Sequence, residues 1–386
     1  MIALKLAYRN LVGAGLRTWL NVGVLSFIYV LIIWHQGLFN GMYPQTSRFV
    51  IREEIAGGQY WHKNYDPFDP LAVEDSHGII PSRLRALVRE NRAAPILIRQ
   101  GTIYPQGRIQ PVLLKGIDPR QTVLDIPIAK LLTDSDTLPI MAGYLMAQKN
   151  GFEVGDVLTI RWRDTNGTYD AADGEIVEIM HTRVPTIDMG QLWIPLDRLQ
   201  QMALLPDEAT LIVAGRDIQE PLNLPEWPFK GQDFLLKDIT DMIKAKRVGG
   251  FFLYAILLFL ALLAVFDTQV LAVFRRRKEI GTLMALGMVR SGVIAVFTIE
   301  GALHGILAVG MAALYGIPIL LFSAYKGIPI PSSAEGYGLA FPVRLFPVYS
   351  AWLVGGTILI IMLAVTIVSY LPSRKITGMK PTEVLR

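Results

Sequence analysis

Apolar residues in this chain gather into four long runs, separated by stretches of ordinary polar and apolar alternation. The runs are Trp19–Gly41, Gly249–Val273, Val293–Ile317 and Pro347–Leu371, and the third continues its apolar pattern past Pro318. Each reaches the ~20 residues a helix needs to cross a bilayer. A buried helix in a soluble core could explain one such run, but it is a poor explanation for four. The first run is too long for the apolar part of a signal peptide, and no A-x-A-like site follows it. The pattern therefore predicts a retained anchor.

Residues 42–248 read differently. Arg83–Asn91, Tyr144–Asn150 and Asp197–Leu204 have helical character, with Gly151 placed to close the second. Val112–Lys115, Val157–Trp162, Gly174–Met180 and Thr210–Ala214 read as strands, with turns at Gly116–Pro119 and Pro225–Pro228. The expected fold is an α-helical membrane protein with four transmembrane helices. A mixed α/β extracytoplasmic domain is inserted between helices 1 and 2. The divisions are residues 1–41, 42–248, 249–371 and a tail at 372–386.

Charge orients this plan. Lys5, Arg9 and Arg17 precede the first run; Arg275, Arg276, Arg277, Lys278 and Arg290 lie between the second and third. Arg374, Lys375, Lys380 and Arg386 follow the fourth, whereas the loop between runs three and four holds only Lys326 and Arg344. Basic loops stay in the cytoplasm. Both termini and the 274–292 loop are expected there, with 42–248 outside. Residues 42–248 carry 23 Lys+Arg against 28 Asp+Glu, a net of −5, and the rest of the chain nets +9. The basic balance is thus a topology signal and does not imply a nucleic-acid partner.

Catalytic chemistry is sparse. With no cysteine, disulfides, thiolate metal sites and cysteine nucleophiles are excluded. His62, His77 and His181 lack metal-ligand spacing. Asn166-Gly167-Thr168 is an isolated glycosylation-type triplet. No G-x-x-x-x-G-K-[ST] string occurs, so any ATP would have to be bound and hydrolysed by another subunit. The chain itself is expected to be non-catalytic and to hold no cofactor or metal.

The stretch Arg275–Ile299 is the most informative. After its basic cluster, Ile280, Leu283, Met284 and Leu286 predict a short amphipathic helix at about 278–288, ended by Gly287. Such a face must be buried, against lipid headgroups or in a partner's groove. Asp267 is an acid within the second run. Glu300 and His304 are spaced i, i+4 in the third, so they can pair.

Arg275, Arg277, Glu279, Ile280, Gly281, Ala285, Leu286 and Gly287 spell R-x-R-x-E-I-G-x-x-x-A-L-G. This string resembles the signature of FtsX-like/MacB-type ABC transporter permeases. Leu6-Ala7-Tyr8-Arg9-Asn10-Leu11, Glu300-Gly301 and Pro381-Thr382-Glu383-Val384-Leu385-Arg386 resemble further segments of that family. Gly116-Ile117-Asp118-Pro119 and Gly151–Asp156 are similar to the lipoprotein-releasing LolC/LolE branch. Asp267 departs from the family's usual Asn.

The resemblance implies a homo- or heterodimer with a second permease, over two ATP-binding subunits that hold ATP and Mg. The 278–288 segment would be the coupling helix, with Ile280, Leu283, Met284 and Leu286 in the ATPase groove and Arg277 and Glu279 at its polar edge. The chain would relay ATP-driven motion to the outer domain and release lipoproteins toward the outer membrane. Val24, Leu25, Ile28 and Leu31, with Phe252, Ile256, Phe259 and Leu263, would line the path of acyl chains among membrane lipid. MacB-like export with a periplasmic adaptor, and mechanical regulation of a cell-wall hydrolase, are the alternatives.

Overall fold

The computed structural model describes residues 15–133, 137–182, 184–218, 220–330 and 344–377. The chain divides into two compact units. One is formed by Met1–Met42, Met242–Pro329 and Arg344–Arg386; the other is built chiefly from Tyr43–Asp241.

The first unit holds the long apolar helices. The first span helix is Leu16–Val50 and the second is Lys237–Arg275. The third, Arg290–Lys326, runs through Pro318, and the fourth is Ala351–Thr377. All four are long and apolar enough to cross a membrane. The fourth begins four residues after Pro347 and runs through Pro372. The first two extend well beyond their apolar runs, and the boundary between the units falls inside each of them.

The spans pack through a core of Val22, Leu25, Ile28, Tyr29, Ala261, Val265, Ala308, Ile361 and Val365. Apolar burial alone gives little drive in lipid, so close approach of small residues matters. A Cβ on Gly305 would stand 2.6 Å from Met362 Sδ, and one on Gly316 would stand 2.5 Å from Val30 Cγ2. One on Gly301 would collide with Ser369. Glycine at these positions lets the third span lie against the fourth and the first.

The second unit is richer in strands than the apolar pattern suggests. Its strands are β1 Gly58–Trp61, β2 Gly78–Ile79, β3 Ala93–Ile103, β4 Gln110–Ile117, β5 Leu138–Gly143 and β6 Val157–Arg163. They continue with β7 Tyr169–Met180, β8 Gln191–Pro195, β9 Glu208–Ala209, β10 Leu211–Ala214 and β11 Phe229–Gly231. Nine of them form one sheet in the order β11-β1-β10-β3-β4-β8-β5-β7-β6. β6 also pairs with β3 through Gly101–Trp162, Thr102–Arg161 and Ile103–Ile160, which closes the last six strands into a barrel.

Alternation along β6 points Leu158, Ile160 and Trp162 inward, where they meet Leu97, Leu114, Ile140, Ile176 and Ile194. Helices α2 Tyr144–Asn150 and α3 Leu196–Ala203 add Met146, Ala147, Leu199 and Ala203 to this core, and α1 Ser82–Arg89 packs Leu84 with Tyr60, Ile212 and Ala214. Gly151, at φ 72, ends α2 in the left-handed conformation that glycine adopts without penalty.

A second core lies on the outer face of the barrel. Ile96, Ile98, Ile117, Met141, Met180, Trp193 and Val213 meet Val50, Ile55 and Ala56 from one connection and Leu235, Leu236 and Ile239 from the other. The first helix reaches this core through a wide turn, in which Ala56 N–H donates to Ile51 O at 2.8 Å. This i→i+5 pattern is a π-type turn. Lys115 is buried on the same face, its Nζ 5.2 Å from the Trp193 ring centre. Burial pushes its pKa below the ordinary 10.5, opposed by the charge of Glu54.

The protonated form of Lys115 is therefore disfavoured in the folded state. Its cost is fully present below the depressed folded pKa and fades as pH rises toward the unfolded value. Lys115→Met is expected to stabilise the β-rich unit by about 1 kcal/mol or more at neutral pH, with the gain shrinking at strongly alkaline pH. Denaturant unfolding of the full chain in detergent at several pH values measures this; a loss of stability at neutral pH contradicts it.

Candidate functional site

The loop after the second span forms a helix at Arg277–Ala285, and Gly287, at φ 96, turns the chain out of it. This helix divides its apolar residues between two directions. Ile280 is 3% exposed and packs with Val273, Val293 and Phe297 of the adjoining spans, with Met284 and Met288 against them. Leu286 is 81% exposed, and Lys278, Glu279 and Thr282 are exposed with it. Ile280 and buried Gly281 thus hold the loop to its own bundle, while Leu286 and Glu279 face away. The expectation that Ile280, Met284 and Leu286 enter one partner groove does not fit this arrangement, because the chain's own spans already cover Ile280. The side chains of Arg277 and Leu283, the 6–11 motif and the 381–386 tail lie outside the described residues.

A polar seam runs between the second, third and fourth spans. Glu300 is buried, and Arg276 Nη1 donates to its Oε2 at 3.2 Å. His304 Nδ1 lies 2.8 Å from the backbone carbonyl of Glu300. The i, i+4 pairing expected of Glu300 and His304 is therefore not made between side chains: the carboxylate turns toward the basic cluster and the imidazole meets the helix backbone. Gln269 is buried on the facing side of the second span, and its Oε1 has no hydrogen-bond partner among the described residues. Ser369 Oγ donates to Val365 O at 2.8 Å, beside Gly301. Asp267 is exposed on its helix and forms no ion pair among the described residues.

The expected acyl-chain lining separates into two groups. Leu25 and Ile28 are interior to the bundle, as is Val22, so they cannot face a path entered from lipid. Val24 is exposed and Leu31 half-buried. Phe252, Ile256, Phe259 and Leu263 are 62%, 59%, 64% and 45% exposed. Their i, i+4, i+7, i+11 spacing makes one continuous apolar face on the second span.

In the β-rich unit, His77 Nδ1 lies 2.5 Å from Glu208 Oε2 and ties β2 to β9. His62 stands edge-on to Trp227, where burial pulls its pKa down, and His181 stacks on Tyr144. No group of three metal-ligating side chains forms among the described residues.

Four long apolar helices and a separate β-rich unit define a polytopic helical membrane protein. Residues 251–381 match the family model of the FtsX-like permease C-terminal domain. The matched region takes in the second, third and fourth spans and the loop helix; the β-rich unit lies outside it. No curated protein matches the chain.

The seam sets a clear test of helix packing. Gly301→Val drives methyl groups into Ser369, whereas Gly310 has open space around its Cα. Gly301→Val should lower the melting temperature in detergent by several degrees and Gly310→Val should leave it nearly unchanged. Equal behaviour of the two variants would contradict the close approach of spans three and four.

Proposed function

We propose that this chain is the permease subunit of an ABC transporter that moves an outer domain by mechanical transmission. Two partner subunits bind and hydrolyse ATP with Mg. A second permease, identical or related, completes the membrane part. Both termini and the loop helix are cytoplasmic, and the β-rich unit is periplasmic.

The FtsX-like match supports the class. One observation supports the mechanism: both connections between the spans and the outer unit end in a single core around Val50, Ile55 and Leu236. Displacement of either connection must be accommodated by that core, because a close-packed interior does not absorb it silently. Energy enters through the difference in ATP affinity between two states of the partner subunits. The loop helix receives it, with Leu286 and Glu279 as the face toward the ATPase and Ile280 and Met284 as its anchor in the spans. Arg277, Leu283 and Gly287 complete the docking segment.

The substrate we assign is an acylated lipoprotein. Extracting an acyl chain costs about 0.8 kcal/mol per CH₂ unless apolar surface receives it. The exposed ladder of Phe252, Ile256, Phe259 and Leu263, with Val24, supplies such a surface. A second reading, control of a periplasmic partner enzyme, is supported by Phe68 and Leu71, exposed at 80% and 82% on the outer unit.

Leu286→Asp should reduce co-purification of the ATP-binding subunit about tenfold or more without changing the chain's own melting temperature. Normal recovery of the ATPase would overturn the docking assignment. Mass spectrometry of the complex in mild detergent should find an acylated protein. Its absence, together with a bound soluble hydrolase, would favour the second reading.

A further inference from the structure

An open cavity of about 1190 Å³ in the β-rich unit lies beside the last turns of the first helix. Arg48 and Arg52 enter it from one helix face, a turn apart, and Arg216 enters it from the loop after β10. Three guanidinium groups in one cavity repel one another unless counter-charge is present. Some counter-charge is built in. Arg52 is paired with Asp125, and Asp217 accepts from Arg92 Nε at 2.5 Å, which holds its carboxyl below the usual range. Those two acids are thereby engaged. Arg216 Nη2 donates to the carbonyl of Ile51 at 3.3 Å and is exposed. Arg48 is also exposed, and neither Arg48 nor Arg216 makes an ion pair among the described residues. Arg48 and Arg216 therefore line the same cavity while its two carboxylates are engaged by other arginines.

The apolar run closes at Gly41, and the helix continues to Val50. At about 1.5 Å per residue, Tyr43 lies ~3 Å and Arg48 ~10 Å beyond that point. The polar layer outside the hydrocarbon core is about 5–8 Å thick. Tyr43 falls within that layer, where tyrosine is a common interfacial anchor, and Arg48 follows a few ångströms beyond it, from where its long side chain can reach back toward lipid phosphates. Arginine forks match phosphate oxygens two at a time.

We propose that Arg48 and Arg216 form a binding site for a phosphoryl group, carried by an anionic phospholipid headgroup or by a soluble phosphate ester. The site requires only that the first helix crosses the bilayer, and it is independent of what the transporter carries.

The test uses the full chain in detergent micelles doped with a phosphatidylglycerol that bears a photoreactive group near its headgroup. Peptide mass spectrometry then locates the adducts. Adducts are expected within residues 43–52 and 211–218, and Arg48→Gln with Arg216→Gln should lower their yield about tenfold or more. Arg89→Gln, an exposed arginine outside the cavity, serves as the control. Melting curves establish that each variant is folded, and Arg48→Lys, which keeps charge but loses the fork, should fall between. Competition by millimolar glycerol phosphate in the wild-type chain would assign the site to soluble esters as well. Loss in the double variant without such competition would assign it to lipid alone. Unchanged adduct yield in the folded double variant, an equal loss in Arg89→Gln, or equal competition by diacylglycerol, which has no phosphoryl group, would overturn the proposal.

Discussion

Val50, Ile55, Ala56 and Leu236 pack into one apolar cluster, and the β-rich unit is organised around that constraint. The two covalent connections to the spans could have ended in separate loops, each free to move alone. Instead both insert apolar side chains beneath the same face of the barrel, against Ile96, Ile98, Ile117 and Trp193. Removing either would open a cavity whose cost scales with its volume. The wide turn at Ile51–Ile55 lets the first helix end with Ile55 buried and Arg52 still in solvent.

The membrane unit follows a different rule. Lipid is as apolar as leucine, so its cohesion comes from close approach and from polar groups that find one another. Gly301, Gly305 and Gly316 provide the first. Arg276, Glu300 and His304 provide the second, at the end where the basic cluster lies. A buried pair of this kind contributes less to stability than to registry: breaking it strands a charge, whereas keeping it fixes how the helices are placed along one another.

The spans were legible in the sequence because a run of more than twenty apolar residues has few other folds open to it. Helix α2 was legible through Gly151, and β6 through strict alternation. β3, β5 and β8 were not. Almost every residue in them is buried on both faces, so they show no period of two, and Pro95 and Pro139 further blur them. The loop helix was legible as a helix, yet its apolar residues gave no direction. Ile280 and Leu286 are alike in chemistry, and only the packing of Val273, Val293 and Phe297 separates the buried one from the exposed one. Spacing likewise suggested that Glu300 meets His304, and it could not show that Arg276, 24 residues earlier, competes for the carboxylate. The paired arginines of the cavity carried no local signal, since Arg48 and Arg216 come together only when β10 lies along β3.

One edge of β3 is shared between two neighbours. Ala93–Ile96 pairs with β10 and Gly101–Ile103 pairs with β6. Between them the backbone is held by side chains: Ile98 N–H donates to Thr210 Oγ1 at 3.0 Å and Gln100 N–H to Glu74 Oε1 at 3.2 Å. Arg99 grips the same glutamate. β11, β1 and β10 thus form a leaf joined to the barrel by four rungs, by the Ile98–Thr210 bond, and by Leu211 and Val213 in the apolar core they share with Ile96, Ile98 and Ile117. A pull on the leaf is therefore passed to the ring through shared packing as well as through hydrogen bonds.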